Sequence, residues 1–236
     1  MKHTIIANWK MNLTFHQAII LAQEIENISH DHHFIVAAPT PYLAYLTLNF
    51  KNINFCAQDI SVFNEYGAYT GETSAHMLKD CGINYTIIGH SERRSLLFET
   101  NKIIRKKIEN CINAEIIPII CIGETLESRQ NNTFKELLLE QINAIPENAD
   151  NIIIAYEPIW AIGSGIIPTT EEIQQVIKFI KTNEQVSVIA KNAQLVYGGS
   201  VACKNFIQII DLSEINGLLI GSASLKIEEL RTILNY

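Results

Sequence analysis

Short apolar runs alternate with stretches of helical periodicity along the whole chain, and this alternation is the feature that most constrains the fold. Several runs are apolar at every position, which is typical of strands buried on both faces of a parallel sheet. About eight strand-then-helix units follow one another without a linker or a break in composition. The predicted strands cover residues 4–7, 34–38, 55–59, 85–88, 116–122, 152–156, 195–197 and 218–220.

Apolar residues at helical spacing predict helices between these strands, and polar residues mark where some of them begin. Thr100 can cap a helix that buries Ile104 and Ile108, and Thr169 with Glu172 forms a predicted capping box. Parallel strands with short crossovers form either an open sheet or a closed barrel. No GxGxxG motif follows the first strand, so we predict an α/β protein whose residues 1–236 form one (β/α)8 barrel domain.

Composition excludes several functional classes. The 236 residues are 47% hydrophobic and 18% charged, which suits a large buried core, and the formal net charge is −7. A negative chain argues against nucleic-acid or anionic-membrane partners, and no run reaches the ~18 apolar residues of a membrane span. The five cysteines include no CxxC pair, so they predict reduced thiols and no zinc site. We expect a cytoplasmic globular protein.

The stretch from residue 155 to residue 165, AYEPIWAIGSG, is the strongest candidate for a functional segment. Glu157 follows a buried strand, and Pro158 ends that strand because its φ is fixed. An apolar segment and a glycine-rich closure come next. A loop that carries Trp and Ile makes sense if it closes over something, although a Glu before Pro is often only a solvated loop residue.

The residues that follow the other strands point to the same end of the barrel, where such folds carry their chemistry. Each also has a simpler explanation: Lys10 as a solvated cation, His90 as a histidine bonded to backbone, Ser200 as a helix cap. Together they place a base, an electrophile, a cation and an anion-binding turn around one axis. The candidate residues are Asn8, Lys10, His90, Glu157, Gly163, Ser200, Gly221 and Ser222.

These residue types suit proton abstraction beside a carbonyl on a small phosphorylated substrate. Backbone N–H groups at Gly163, Ser200 and the Gly221–Ser222 turn can bind phosphate. Glu157 under an apolar flap is a candidate base. A helix N-terminus after His90 favours a neutral imidazole that can donate to a carbonyl oxygen, and the Lys10 ammonium can stabilise an enolate oxygen.

Motifs in one order along the whole chain closely resemble those of the triosephosphate isomerase family. They are NWKMN, AQD, GAYTGE, GHSERR, CIGET, AYEPIWAIGSG, YGGSV and LLIGSASL. The resemblance implies a (β/α)8 barrel, a homodimer, and cofactor-free interconversion of dihydroxyacetone phosphate and D-glyceraldehyde 3-phosphate, a step of glycolysis and gluconeogenesis. It also implies no metal.

The resemblance assigns Glu157 as the base, His90 as the proton-shuttling electrophile and Lys10 as the electrostatic lysine. Asn8 would orient the substrate, and Gly163, Ser200, Gly221 and Ser222 would bind its phosphate. The loop around Thr70 resembles one that inserts beside the partner subunit's active site, Glu92 matches an acid near His90, and Cys121 is expected to pack near Glu157. Ser222 departs from the usual second glycine, and Pro168 from the usual hinge.

Two other functions stay open on the sequence: a different phosphate-binding barrel enzyme, and a barrel that has lost catalysis and only binds. The first would keep the turn at Gly221 but has no reason to hold NWK, GHSE and YEPIWAIG together. The second conflicts with the intact Lys10, His90 and Glu157. The triplet Asp31-His32-His33 suggests metal ligands, but without partner spacing it is interpreted as a solvated turn.

Overall fold

A computed structural model describes residues 2–162 and 166–236, and its strands close into one barrel. Every strand pairs in parallel with the next one along the chain, and the last pairs with the first. The predicted (β/α)8 barrel is therefore confirmed. The strands are β1 Thr4–Asn8, β2 His33–Ala38, β3 Asn54–Ala57, β4 Tyr85–Ile88, β5 Ile117–Ile122, β6 Ile153–Tyr156, β7 Gln194–Tyr197 and β8 Gly217–Ile220.

Helices surround the barrel and connect each strand to the next. They are α1 Phe15–Glu26, α2 Thr40–Asn49, α3 Ala75–Asp80, α4 Ser91–Leu96, α5 Asn101–Asn113, α6 Leu126–Gln130, α7 Phe134–Ile142, α8 Thr170–Thr182, α9 Val188–Asn192, α10 Phe206–Ile210 and α11 Ile227–Leu234. Two 3₁₀-helices, Ile159–Ala161 and Ser222–Leu225, follow β6 and β8. No helix of the described residues is long and apolar enough to cross a membrane.

Side chains at several helix starts satisfy backbone donors that lack partners inside the helix. Thr100 accepts a hydrogen bond from the Ile103 N–H at the start of α5. Thr169 and Glu172 form a reciprocal capping box at the start of α8. Both caps were predicted from the sequence, and both are confirmed.

The second strand ends at Ala38, as predicted, but the helix α2 that begins at Thr40 was not predicted. Pro39 and Pro41 both end the strand and open the helix, because proline suits the first turn of a helix. The predicted turn at residues 31–33 is not solvated: His32 is only 9% exposed and His33 begins β2. Packing against the neighbouring histidines buries His32, and a local sequence pattern does not reveal such packing.

Alternation along the strands separates two buried layers. One set of side chains fills the barrel interior, including Ile6 of β1, Ile153 of β6 and Leu219 of β8. The other set packs between the barrel and the helices. Because successive strand side chains point to opposite faces, the residues two positions beyond the interior layer also face the barrel axis. This spacing directs Asn8, Glu157 and Gly221 toward the mouth.

Candidate active site

A cavity of about 690 Å³ opens at the carboxyl ends of the strands. It is lined by every predicted site residue that the structure describes. These residues are Asn8, Lys10, His90, Glu157, Ser200, Gly221 and Ser222. The remaining predicted residue, Gly163, lies outside the described residues. Sequence positions far apart in the chain thus meet in one cavity, as the strand order requires.

Glu157 is almost completely buried at the base of this cavity, with 2% of its surface exposed. Its Oε1 lies 3.1 Å from His90 Nε2, and its Oε2 accepts a hydrogen bond of 3.0 Å from the Ser91 N–H. The Glu157 N–H donates to the Ile122 carbonyl, which fixes the backbone of the segment after β6. The carboxylate is therefore held at the N-terminus of α4, where the helix dipole favours negative charge.

His90 is the N-cap residue of α4, and this position determines which of its nitrogens carries a proton. Its Nδ1 accepts a hydrogen bond of 3.2 Å from the Glu92 N–H. A ring nitrogen that accepts from a backbone N–H has no proton of its own, so the proton lies on Nε2 and points to Glu157. The imidazole is neutral in this arrangement. The expected helix N-terminus after His90 is confirmed.

Lys10 adopts a left-handed backbone conformation, with φ of 52°. Two side chains hold it there: its N–H donates to Asn8 Oδ1 at 3.0 Å, and its carbonyl accepts from Gln58 Nε2 at 2.9 Å. Its Nζ lies 2.5 Å from Glu92 Oε1. A non-glycine residue with positive φ is strained, and strain of this kind concentrates at functional sites. Asn8 and Gln58 thus direct the ammonium group of Lys10 into the cavity.

The opposite wall of the cavity carries the predicted phosphate-binding turns. Asn205 supports the turn at Ser200: its Nδ2 donates to the Ser200 carbonyl and its Oδ1 accepts from the Ala202 N–H, both at 2.8 Å. Ser200 Oγ donates to the carbonyl of Ala161. Gly221 precedes the 3₁₀-helix Ser222–Leu225, so the expected helical turn after β8 is present.

Comparison with known proteins agrees with this geometry. A sequence model of the triosephosphate isomerase family matches residues 3–236. The chain is 42% identical to the triosephosphate isomerase of Orientia tsutsugamushi strain Ikeda, over 99% of this chain and 97% of the relative. It is 42% identical to that of Alkaliphilus oremlandii, over 100% and 99% of the two chains, and 40% identical to that of Francisella philomiragia, over 100% and 97%. The chain belongs to the triosephosphate isomerase family. Its prediction as an isomerase is confirmed.

The segment after Glu157, which the family resemblance marks as a closing flap, is anchored to a buried carboxylate in this structure. Glu124 Oε1 accepts hydrogen bonds of 2.9 Å from both Tyr156 Oη and Trp160 Nε1. Arg129 approaches the same oxygen at 3.2 Å. Burial raises the pKa of Glu124, and the donors from Trp160 and Tyr156 oppose that shift. Glu124 therefore ties the first turn of the flap to the end of β5.

The residues that line the cavity were predicted from the sequence, but those that support them were not. Gln58, Glu124 and Asn205 hold Lys10, the flap and Ser200. Gln58 and Glu124 lie inside the family motifs AQD and CIGET, and this was their only sequence signal. Cys121 is buried beside Glu157 as expected, and burial raises its pKa well above the ordinary value. Among residues 2–162 and 166–236, no three His, Cys, Asp or Glu side chains could together hold a metal ion.

Proposed function

We propose that the chain interconverts dihydroxyacetone phosphate and D-glyceraldehyde 3-phosphate through an enediol(ate), with Glu157 as the base. The observation that supports this most strongly is the pairing of the Glu157 carboxylate with the Nε2–H of His90, 3.1 Å apart. A carboxylate beside a neutral imidazole donor suits proton removal from carbon and proton donation to oxygen at the same time.

The proposed reaction moves two protons and needs no co-reactant. Glu157 accepts a proton from the carbon beside the carbonyl and returns it to the neighbouring carbon. His90 moves a proton between the two oxygens, and the Lys10 ammonium stabilises the negative charge that develops on them. Glu157 would exchange its bond with the Ser91 N–H for the substrate. Because that bond is to one neutral N–H, the exchange costs little.

Phosphate binding is proposed for the turns at Ser200, Gly221 and Ser222, with Gly163 added on the family resemblance. The N–H groups that open the 3₁₀-helix Ser222–Leu225 point outward without partners inside that helix, which favours an anion. Asn8 is proposed to orient the substrate, and it already fixes the N–H of Lys10. The negative net charge of the chain is compatible with these assignments, because the phosphate group would be bound by local hydrogen-bond donors and not by the overall charge.

The proposal is tested by replacing Glu157 with Gln and measuring turnover of glyceraldehyde 3-phosphate in a coupled assay. We expect kcat to fall by ~10²–10⁴-fold, the usual contribution of a general base. Binding of inorganic phosphate should persist, because the phosphate turns lie on other segments. Glu140→Gln is the matched control, since Glu140 is exposed on α7 and lies outside the cavity.

Other outcomes distinguish the alternatives. A wild-type protein that binds phosphate but shows no turnover would revive the different barrel enzyme or the binding protein. Equal loss of phosphate binding and turnover in Glu157→Gln would instead indicate that Glu157 is structural. Retained turnover in Glu157→Gln would remove Glu157 from the reaction.

We also propose a homodimer through the loop around Thr70. Three large aromatic side chains of this loop are exposed in the single chain: Phe63 at 42%, Tyr66 at 71% and Tyr69 at 41%. Phe63 and Tyr69 stack within the loop at 3.8 Å between ring centroids, which gives it a fixed shape. Exposed apolar clusters of this kind support a protein interface.

The dimer is tested with Thr70→Arg, which places a long charged side chain at the proposed interface. We expect sedimentation to show more monomer and the specific activity to fall in parallel. Thr232→Arg is the control, because Thr232 is exposed on α11, far from the loop in sequence and in fold order. A Thr70→Arg protein that is a fully active monomer would contradict a role of the dimer in the site.

A cytoplasmic location is proposed on the state of the cysteines. All five are free, and Cys56, Cys111 and Cys121 are buried as thiols. Free thiols suit a reducing compartment.

A further inference from the structure

Arg94 lies on α4, four residues after His90, and is bonded in a way that is unusual for a cation. Its guanidinium is partly buried, yet its hydrogen bonds go to three neutral oxygens: the Gly89 carbonyl at 2.8 Å, Asn101 Oδ1 at 2.8 Å and the Cys121 carbonyl at 3.0 Å. Within the described ranges, no carboxylate lies at ion-pair distance from it. Desolvated cations are normally paired, so the absence of a direct partner calls for an explanation.

The neighbouring arginine shows the usual arrangement. Arg93 pairs with Asp59 at 2.8 Å and with Glu99 at 2.7 Å, and Lys107 joins the same two carboxylates. Two consecutive arginines on one short helix are thus used differently. Arg93 belongs to a compensated ion cluster, whereas Arg94 reaches inward to backbone.

The three acceptors of Arg94 belong to segments that carry or flank the proposed catalytic pair. The Gly89 carbonyl belongs to the peptide that leads into His90, and Gly89 has a left-handed φ of 67°. The Cys121 carbonyl is in β5, and the Cys121 side chain contacts Glu157. One planar group therefore ties the end of β4 to the end of β5. Its fork of donors fixes the distance between these segments, which a more flexible ammonium could not do equally well.

Arg94 also acts on Glu157 through its charge. Burial lowers the pKa of Arg94, and negative charge at Cys121, Glu157 and Glu99 opposes that shift. Cys121 stays a neutral thiol because burial raises its pKa, and Glu99 is already paired with Arg93 and Lys107. Glu157 is the remaining carboxylate, and within the described residues its ion-pair neighbour is His90. The negative charge of Glu157 therefore acts on the Arg94 guanidinium without a direct bond between the two groups.

We propose that Arg94 is a positioning residue for the isomerisation, which fixes His90 against Glu157 and places a fixed positive charge near the Glu157 carboxylate. This rests on the proposed function. The absence of a direct bond between Arg94 and Glu157 is part of the proposal. A carboxylate bonded to a guanidinium would be held away from the substrate, whereas one that feels the charge at a distance can still move.

The test compares two variants. Arg94→Gln removes the positive charge, whereas Arg94→Lys keeps the charge and loses the planar set of guanidinium donors. For Arg94→Gln we expect kcat to fall by about 10- to 10²-fold with KM changed little, because misplacement of a reacting group lowers the rate and not the phosphate binding. The acid limb of the kcat/KM profile should move to higher pH, because a positive charge near a carboxylate favours its charged form and the variant lacks that charge. Arg94→Lys should return the acid limb of the kcat/KM profile toward its wild-type pH, while kcat stays reduced.

Two further variants keep the test decisive if Arg94→Gln does not fold. Asn101→Ala removes one acceptor and leaves the charge, so it should lower kcat slightly and leave the pH profile unmoved. Arg105→Gln, at an exposed arginine of α5 that pairs with Glu109, should change neither kcat nor the pH profile. A lower thermal midpoint with wild-type kcat and pH profile in Arg94→Gln or Arg94→Lys would overturn the proposal and leave Arg94 merely structural. Wild-type protein without turnover would instead refute the proposed function itself.

Discussion

Histidines lie at both ends of the barrel, and the two groups are held neutral by different means. At the carboxyl ends of the strands, His90 uses both ring nitrogens, one toward the Glu92 N–H and one toward Glu157. At the amino ends, His3, His30, His32 and His33 lie around the start of β1 and β2, and His32 Nδ1 accepts a hydrogen bond of 3.2 Å from the His3 N–H. The first arrangement directs a ring N–H at a carboxylate, whereas none of these four rings pairs with a carboxylate within the described residues.

Burial is the main cause of the lowered pKa at each histidine of the amino-end group. Repulsion between charged rings adds to this, since His3 and His30 each lower the pKa of His32. His32 and His90 both accept a backbone N–H at Nδ1, and His90 differs in that its other ring nitrogen meets the Glu157 carboxylate. This difference is in keeping with the general division of the fold, in which the carboxyl ends of the strands carry the chemistry and the amino ends contribute to stability.

The largest test of this division exchanges one histidine at each end for glutamine. His90→Gln should lower kcat by ~10²–10⁴-fold, since it removes a neutral donor that moves a proton. His32→Gln should leave kcat unchanged and lower the free energy of unfolding by about 1 kcal/mol, the usual cost of disturbing a buried polar contact. Coupled assays and urea denaturation measure the two effects. A fall in kcat for His32→Gln comparable with that for His90→Gln would remove the distinction.

Two glycines give a second, smaller test of the same comparison. A Cβ at Gly123, after β5, would lie 1.7 Å from the Glu157 carbonyl oxygen, and a Cβ at Gly217, at the start of β8, would lie 1.7 Å from the Thr4 carbonyl oxygen. Alanine at either position forces the backbone to move and should cost about 1–3 kcal/mol of stability or more. Only Gly123→Ala displaces Glu157, so only it should also lower kcat in the protein that remains folded.

Each glycine variant is the control for the other. Both place a Cβ 1.7 Å from a carbonyl oxygen, but Gly123 lies at the carboxyl ends of the strands and Gly217 at the amino ends. Thermal unfolding gives the stability, and the assay is run well below the transition of each variant. Equal kcat in both variants would show that the backbone of Glu157 tolerates displacement.

The predicted site residues among the described residues meet in one cavity because their positions depend on strand order and alternation. Asn8, Glu157 and Gly221 follow interior strand positions by two residues, so the barrel directs them to one mouth whatever the helices do. His90 was placed by the helix start after β4, and the capping box at Thr169 by local chemistry.

The supporting residues could not be predicted in the same way, because their roles depend on distances between separate elements. Arg94 donates to the carbonyl of Cys121, 27 residues further along the chain, and Gln58 reaches back 48 residues to Lys10. Neither contact can be recognised from the spacing of residues within one helix or strand. The missed helix α2 has another cause: Pro39 and Pro41 have the same local signature whether a strand ends or a helix begins.

The smallest predicted effect is the pH dependence contributed by the amino-end histidines. Folding lowers the pKa of His30 and His32 below the ordinary value of about 6.5, so the unfolded chain binds protons first as the pH falls. Their stabilising contribution is complete above pH ~6.5 and is lost as the pH falls through the lowered folded values. Buried Asp59 and Glu124 have raised pKa values and act in the opposite direction at more acidic pH.

The pH dependence of unfolding is therefore compared between variants, because the difference isolates the contribution of the histidines better than the wild-type curve alone. Urea denaturation at pH 7.5, 6.5 and 5.5 should show a shallower loss of stability in His32→Gln than in wild type. His16→Gln, at an exposed position of α1, should follow the wild-type curve. If His32→Gln lost stability as steeply as wild type over this range, the amino-end histidines would not be the groups that titrate. The proposed contribution of the amino-end histidines to stability would then lose its support, and the contrast between the two ends would depend on His90 alone.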